Sequence, residues 1–462
     1  MRFLETDPQG RTPFKDIFLS FRVHTNAIID MVFSEDDMLL ATASGDQTAR
    51  VVDVLTQTTL SILGNHSASL KQVRFQPGAN SKSVLATSSR DGSVQIWDLR
   101  CKGTDGPMQD FYAKEPLGPV HASSANRPTW ARAVNSIWDA HRYPSWTQPT
   151  SLLDHDYTYR TEAPGKTGES VTAITFLAQE NLLATSSQGN ASIRIWDLRS
   201  LHNQRKTQTP LSQTASPVSH TKFRNFGISS LSLSGDGSRL YSLSKDNTVY
   251  AYSTSHLILG HAPELSKNDP GPHFSPKETK PGLGPLYGFR HPHLHATSFY
   301  VKTAIRKAQD GHSELLAVGS SDGSPILFPT DERYFGASPE QSETPIMPAY
   351  TQPPIYGARH PRHQNASSSP SPRHKPAAFP ISTNGTPLTR GHSREVSSLS
   401  WTANGELITL GDDFLVRCWR EGDGARDLRS GGEDGGRRWG CGWADVSEDY
   451  DEEDDDPDED RD

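Results

Sequence analysis

Ser88–Gly103 reads SSRDGSVQIWDLRCKG, and Ser186–Asn203 reads SSQGNASIRIWDLRSLHN. Two near-copies starting 98 residues apart make internal repetition the first property to test. Read outward from them, the repeating unit is an apolar stretch, a second stretch rich in Ser and Thr, a tight turn carrying Asp, and a third stretch that alternates and ends in an aromatic residue. Six segments fit it, with Asp46, Asp91, Asn190, Asp246, Asp322 and Asp413 at the turn. Asn190 stands where the other five have Asp.

The alternation of Val94 and Ile96 with Gln95 and Trp97 has the period of a β-strand, and a large aromatic on the second face means that both faces are covered. Sheets stacked on sheets around an axis meet that requirement and leave only short edges. Asp46 and Asp91 are 45 residues apart, and a period of 40 to 45 with Trp-Asp endings is the sequence sign of a WD40 β-propeller. The expected fold is therefore all-β, a propeller of the seven-bladed kind with six complete blades. MRFLET reads as the second half of a strand and IFLSFRVH as an outer strand, so the chain enters inside a seventh blade. That remnant is expected to pair with C-terminal residues near RRWGCGWADV. The propeller is assigned to 1–444 and an acidic tail to 445–462.

The later turn-to-turn intervals of 99, 56, 76 and 91 residues exceed one blade. The excess is assigned to surface insertions at about 143–169, 256–292 and 330–387, where proline, serine and histidine prevail and periodicity is lost; disorder is expected there.

The turn Asp has a mechanical role, because its carboxylate accepts amides of its own hairpin and a histidine from the preceding connection. His66 and His392 occupy that place. A charge-assisted hydrogen bond in a buried site is worth about 1.5–3 kcal/mol. These residues are read as structural, and the Asn190 blade, which keeps an acceptor without the charge, as the weaker one.

Composition narrows the class. Only 33% of residues are hydrophobic, 36 are Gly and 33 are Pro. No apolar run is long enough to cross a membrane, and the N-terminus lacks the apolar core of a signal peptide, which points to a soluble intracellular protein. Cys101, Cys418 and Cys441 have no metal-ligand or disulfide-framework spacing. The net charge of −9 comes from the tail, in which 13 acidic residues face one arginine. The rest carries no basic stripe of the kind that marks nucleic-acid binding.

Blade packing does not require the arginines that close both quoted lines. Arg100 and Arg199 follow Asp98 and Asp197 by two residues, at the ends of third strands of consecutive blades, so they share the face opposite the turn Asp residues. Arginine suits an interface, since its planar fork makes bidentate contacts and its stem covers apolar surface. A solvated rim ion pair is the alternative reading.

IWDLR twice in succession resembles the WDxR signature of propellers that serve as substrate receptors for cullin-4 RING ubiquitin ligases. HTNAIIDMVFSEDDMLLATASGDQTARVVDV, SLKQVRF, RAVNSIWDAH, TSFYVKTAI, GHSREVSSLSW and CGWA resemble the denticleless family of such receptors. The resemblance implies that Trp97, Asp98, Arg100, Trp196, Asp197 and Arg199 form the site for the ligase's three-propeller adaptor. It also implies substrates among replication-licensing proteins, presented on the sliding clamp, and a nuclear location. No paired nucleophile and base, GxSxG elbow or metal motif appears in the chain, so no catalysis, cofactor or metal is expected. Substrate capture is expected on the opposite face, where Arg90 and Lys245 precede their turn Asp residues. A clamp-binding motif of Gln, an aliphatic residue and paired aromatics does not occur in the chain. A generic WD40 scaffold in a chromatin or RNA-processing complex is the alternative.

Several motifs imitate chemistry without its context. Gly165-Lys166-Thr167 ends like a phosphate loop, but Arg160 stands where the first glycine belongs. His291, His293 and His295 alternate as if along a strand, without acidic or Cys partners. Trp138–His141 imitates the repeat ending with His in the arginine place, and reads instead as an outer strand. Ser-Pro pairs at Ser275, Ser369 and Ser371 offer a kinase only a common dipeptide.

Overall fold

A computed structural model of the chain describes residues 2–4, 17–103, 128–141, 169–201, 208–217, 219, 226–260, 284–309, 313–335, 379–389, 391–421 and 439–445. Six sheets of four antiparallel strands each follow one another, each with its first strand innermost. The third strands that carry the chemistry below are Ala49–Asp53, Val94–Asp98, Ile193–Asp197, Thr248–Ser253, Ile326–Pro329 and Leu415–Glu421. The innermost strands of blades 1 to 6 pack in sequence order. The all-β propeller with six full blades is thus observed.

The junctions between sheets are the core. Ala41, Ala43, Val51 and Leu63 of blade 1 meet Leu70, Val73, Leu85 and Trp97 of blade 2. Trp196 fills the same place between blades 2 and 3, and Trp419 between blades 5 and 6. The junction of blades 4 and 5 is aromatic instead: Phe289 packs on Phe328 with ring centroids 5.1 Å apart and edge-on to Tyr287 at 5.6 Å. Each large apolar side chain removed from water there contributes about 1.5–3 kcal/mol.

Two short strands hitch adjacent blades together. Thr129–Ala131 runs parallel to Thr59–Leu63, the fourth strand of blade 1, before Ala133–Ile137 becomes the fourth strand of blade 2. Ile381–Ser382 likewise pairs with Tyr287–Phe289 of blade 4 before Thr386–Pro387 closes blade 5. Regular structure also lies inside two of the stretches expected to be insertions. Thr254–Leu259 is a helix and Tyr287–Phe289 a strand within 256–292, while a 3-10 turn at Glu332–Tyr334 and both returning strands fall within 330–387. Their polar, proline-rich composition conceals strands too short to show a period. The 143–168 stretch, the phosphate-loop imitation and all three Ser-Pro pairs lie outside the described residues.

Arg2–Leu4 pairs antiparallel with Ile17–Ser20, which gives a seventh sheet of two strands. The expected pairing of this remnant with the C-terminus does not occur: Trp439–Asp445 is hydrogen-bonded to Leu415–Glu421 as the fourth strand of blade 6. The end of the chain completes its own sheet because that edge is nearest along the backbone. In blades 1 and 6, Met31 is 49% exposed and Leu410 42%. Their counterparts elsewhere, Val73, Ile174 and Leu243, are fully buried.

Candidate functional site

One hydrogen-bond chain recurs inside the blades. In blade 2, Asp91 accepts the amides of Ser67 at 2.9 Å and Ser93 at 2.8 Å and the Ser93 hydroxyl at 2.7 Å, and pairs with His66 Nδ1 at 3.2 Å. His66 Nε2 meets Thr87 Oγ1 at 2.8 Å, and Trp97 Nε1 donates to the same hydroxyl at 2.8 Å. Blade 6 repeats the chain through Asp413, His392, Thr409 and Trp419. Blade 1 starts it with Asp46, His24 and Thr42, ending at Val52 instead of Trp. His24, in RVHTNA, was legible as a counterpart of His66 by its place ahead of the first strand. Burial raises the carboxyl pKa of Asp46 and Asp91, but the histidine and the hairpin donors outweigh it and hold both down to about 2.

Blade 3 departs from this arrangement. Asn190 Oδ1 accepts the Ser192 amide at 3.0 Å and hydroxyl at 2.7 Å, while its Nδ2 donates to Glu169 at 3.3 Å. The histidine here is His141: the sequence pattern reads Trp138–His141 as an outer strand, but the strand is Ala133–Ile137, and His141 Nε2 meets Thr185 at 2.9 Å at the histidine position. Trp196 Nε1 donates to Thr185 at 3.0 Å. His141 Nδ1 is buried without a partner, and burial, reinforced by the Arg194 charge, pushes its pKa down to about 3. In blade 4 the described partners of the turn Asp are hydroxyls: Ser219 donates to Asp246 at 2.8 Å and Tyr250 at 2.5 Å. In blade 5, Asp322 pairs at the surface with His293 at 3.1 Å. The segment of His291, His293 and His295 is not a strand, and among the described residues no group of His, Cys, Asp and Glu could hold a metal ion.

Trp97 and Trp196 were expected at a docking site, but both are buried, with their indole N–H consumed inside the blade. Their burial anchors the strand ends from which Arg100 and Arg199 project. Asp98 accepts the Arg100 amide at 3.0 Å and grips its guanidinium through Nε at 2.9 Å and Nη2 at 2.8 Å. Asp197 does the same to Arg199, at 3.0 Å for the amide, 3.0 Å for Nε and 2.9 Å for Nη2. Each arginine holds its carboxylate below the usual range by these hydrogen bonds. The arginine side chains remain 60% and 70% exposed. The clamp therefore fixes the direction of each fork without hiding it, which lowers the entropy lost when a partner engages. A hollow of about 410 Å³, lined by Ala178–Leu182, adjoins Arg199.

A third clamp is present in blade 5. Asp331 caps the turn at Glu332–Tyr334 by accepting the Arg333 amide at 3.0 Å, and Arg333 Nη2 donates to it at 2.5 Å. The Asp-x-Arg spacing of TDER signals it, but Thr330 in the Trp-Asp frame and the proline-rich surroundings hide it. On the opposite face, Arg90 is exposed beside its turn, whereas Lys245 is half-buried with its ammonium 4.1 Å above the Phe299 ring.

With that geometry in hand, the WD domain, G-beta repeat family matches residues 16–53, 57–98, 158–197 and 385–420. The chain is a WD40 propeller protein. It is similar to the cell division cycle protein cdt2 of Schizosaccharomyces pombe, with 27% identity over 90% of this chain and 63% of that one. It is also similar to the denticleless protein homolog of Gallus gallus, with 26% identity over 91% of this chain and 44% of that one, and to that of Homo sapiens, with 24% identity over 90% and 43%. Within the WD40 class it resembles the denticleless family. The chain spans between about two fifths and two thirds of the length of these relatives.

Proposed function

We propose that this protein is the non-catalytic substrate-recognition subunit of a cullin-4 RING ubiquitin ligase. Arg100 and Arg199 dock it on the ligase adaptor, and the opposite face, with Arg90 and Lys245, takes replication or cell-cycle proteins for ubiquitination, some of them on the sliding clamp. It would act in the nucleus. The observation that carries the reading is the pair of clamped yet exposed guanidinium groups at matching places on consecutive blades, in a chain that resembles the denticleless family. Blade packing has no use for them, whereas a preset fork suits a carboxylate or a carbonyl pair on a partner. Holding a substrate beside the ligase makes transfer effectively intramolecular, so the receptor needs no nucleophile of its own.

The test is co-purification with the adaptor, for the wild-type chain and for Arg100→Ala/Arg199→Ala. Loss of binding with unchanged thermal unfolding supports docking. Equal binding by both proteins removes the arginines from the account and leaves a WD40 scaffold of another complex.

A further inference from the structure

The ends of the third strands form one series around the docking face. Every third strand runs away from the turn Asp, so the residues just beyond it emerge on the same side of the disc. Blade 1 presents Leu55 there, blade 2 Arg100, blade 3 Arg199, blade 4 Leu259 at the end of the Thr254–Leu259 helix, and blade 5 Arg333. All are exposed, and Arg333 is 84% so. Arg333 has the same construction as the first two arginines: a carboxylate two residues earlier accepts its amide and grips its fork, here with Nε at 2.9 Å. Beside it, between blades 4 and 5, lies a hollow of about 700 Å³ with Arg239, Lys307, Glu314 and Asp331 in its wall.

We propose that the docking face extends over blades 1 to 5, with Arg333 as a third arginine contact that receives an acidic side chain of the same adaptor engaged by Arg100 and Arg199. Leu259 and Leu55 supply apolar contact between and beside the arginines. Clamped arginines flanked by exposed leucines fit an interface, in which arginine is enriched and lysine depleted. A local ion pair that merely stabilised the turn would not need its guanidinium outward, because the Asp331 cap on the Arg333 amide already closes that turn.

This inference rests on the proposed adaptor docking, and the experiment separates the two. Binding of the purified adaptor to the full chain is measured by biolayer interferometry at two salt concentrations, for Arg333→Gln, Leu259→Ser and Arg100→Ala/Arg199→Ala, each with its melting temperature. The expected result is a loss of about 5- to 10-fold for Arg333→Gln and a shallower salt dependence, with melting unchanged. Leu259→Ser should weaken binding by a smaller factor with the same salt dependence. If the double variant abolishes binding while Arg333→Gln and Leu259→Ser bind as wild type, the extended face is wrong and the docking stands. If the double variant also binds as wild type, adaptor docking itself falls. Arg333→Lys, which keeps the charge but not the fork, covers the case in which Arg333→Gln melts early. Wild-type affinity in a stably folded Arg333→Lys would refute a bidentate contact.

Discussion

Exchanging the turn residue of blade 2 for that of blade 3 tests how a blade is held. In Asp91→Asn the side-chain oxygen can keep Ser93, as Asn190 keeps Ser192. Its NH2 group then faces the Ser67 amide, a donor against a donor, where the carboxylate had accepted at 2.9 Å. Blade 3 escapes this conflict because Asn190 Nδ2 finds Glu169, whereas the corresponding position in blade 2 is Ala68. Two lines give the magnitude. Losing a hydrogen bond to a charged acceptor costs about 1.5–3 kcal/mol. The fall of the Asp91 pKa from 3.8 to about 2 corresponds to about 2 kcal/mol of stabilisation by the charged form. Urea unfolding followed by tryptophan fluorescence should therefore show Asp91→Asn destabilised by about 2 kcal/mol at pH 7. Ala68→Glu should destabilise the wild type, by placing a carboxylate against Asp91, and restore at least half of the loss in Asp91→Asn. A single variant as stable as wild type, or an Ala68→Glu effect of the same sign in both backgrounds, would refute the donor-matching argument.

The same geometry fixes three further outcomes. His141 stays neutral when folded, with a pKa of about 3, but takes a proton near 6.5 when unfolded. Stability should thus be complete above pH 7 and fall as pH drops below 6.5, by about 2–3 kcal/mol at pH 4.5. His141→Gln should flatten that slope in urea titrations at several pH values. Trp97→Phe removes the donor to Thr87 while His66 still holds the hydroxyl, so the loss should be modest, about 1–2 kcal/mol, in chemical denaturation. Gly391→Ala would place a methyl group 2.2 Å from Cζ2 of the buried Trp419 ring, and should lower the melting temperature by several degrees in calorimetry.

The repeated line with its Asp turn and aromatic strand end made the propeller legible, since strand alternation and turn chemistry are local properties, whereas Trp97 and Trp196, expected at the docking site, are consumed inside their blades. The arginine pair was legible for a related reason: side-chain direction at a strand end is set by counting residues between turns. Identity alone showed neither that Arg100 is clamped nor that the clamp leaves it outward.

What needed the tertiary structure were relations between residues distant in the chain. His141 completes blade 3 from beyond the outer strand of blade 2, and the strands at Thr129–Ala131 and Ile381–Ser382 exist only through pairing with a neighbouring blade. Arg333 follows a strand whose composition, with Pro325 and Pro329, hides its place in the repeat. The C-terminal strand went to blade 6, and not to the N-terminal remnant, because pairing is decided by which backbone edge lies within hydrogen-bond reach. Periodicity sets which residues face inward along a strand, whereas three-dimensional packing selects the neighbour that strand meets.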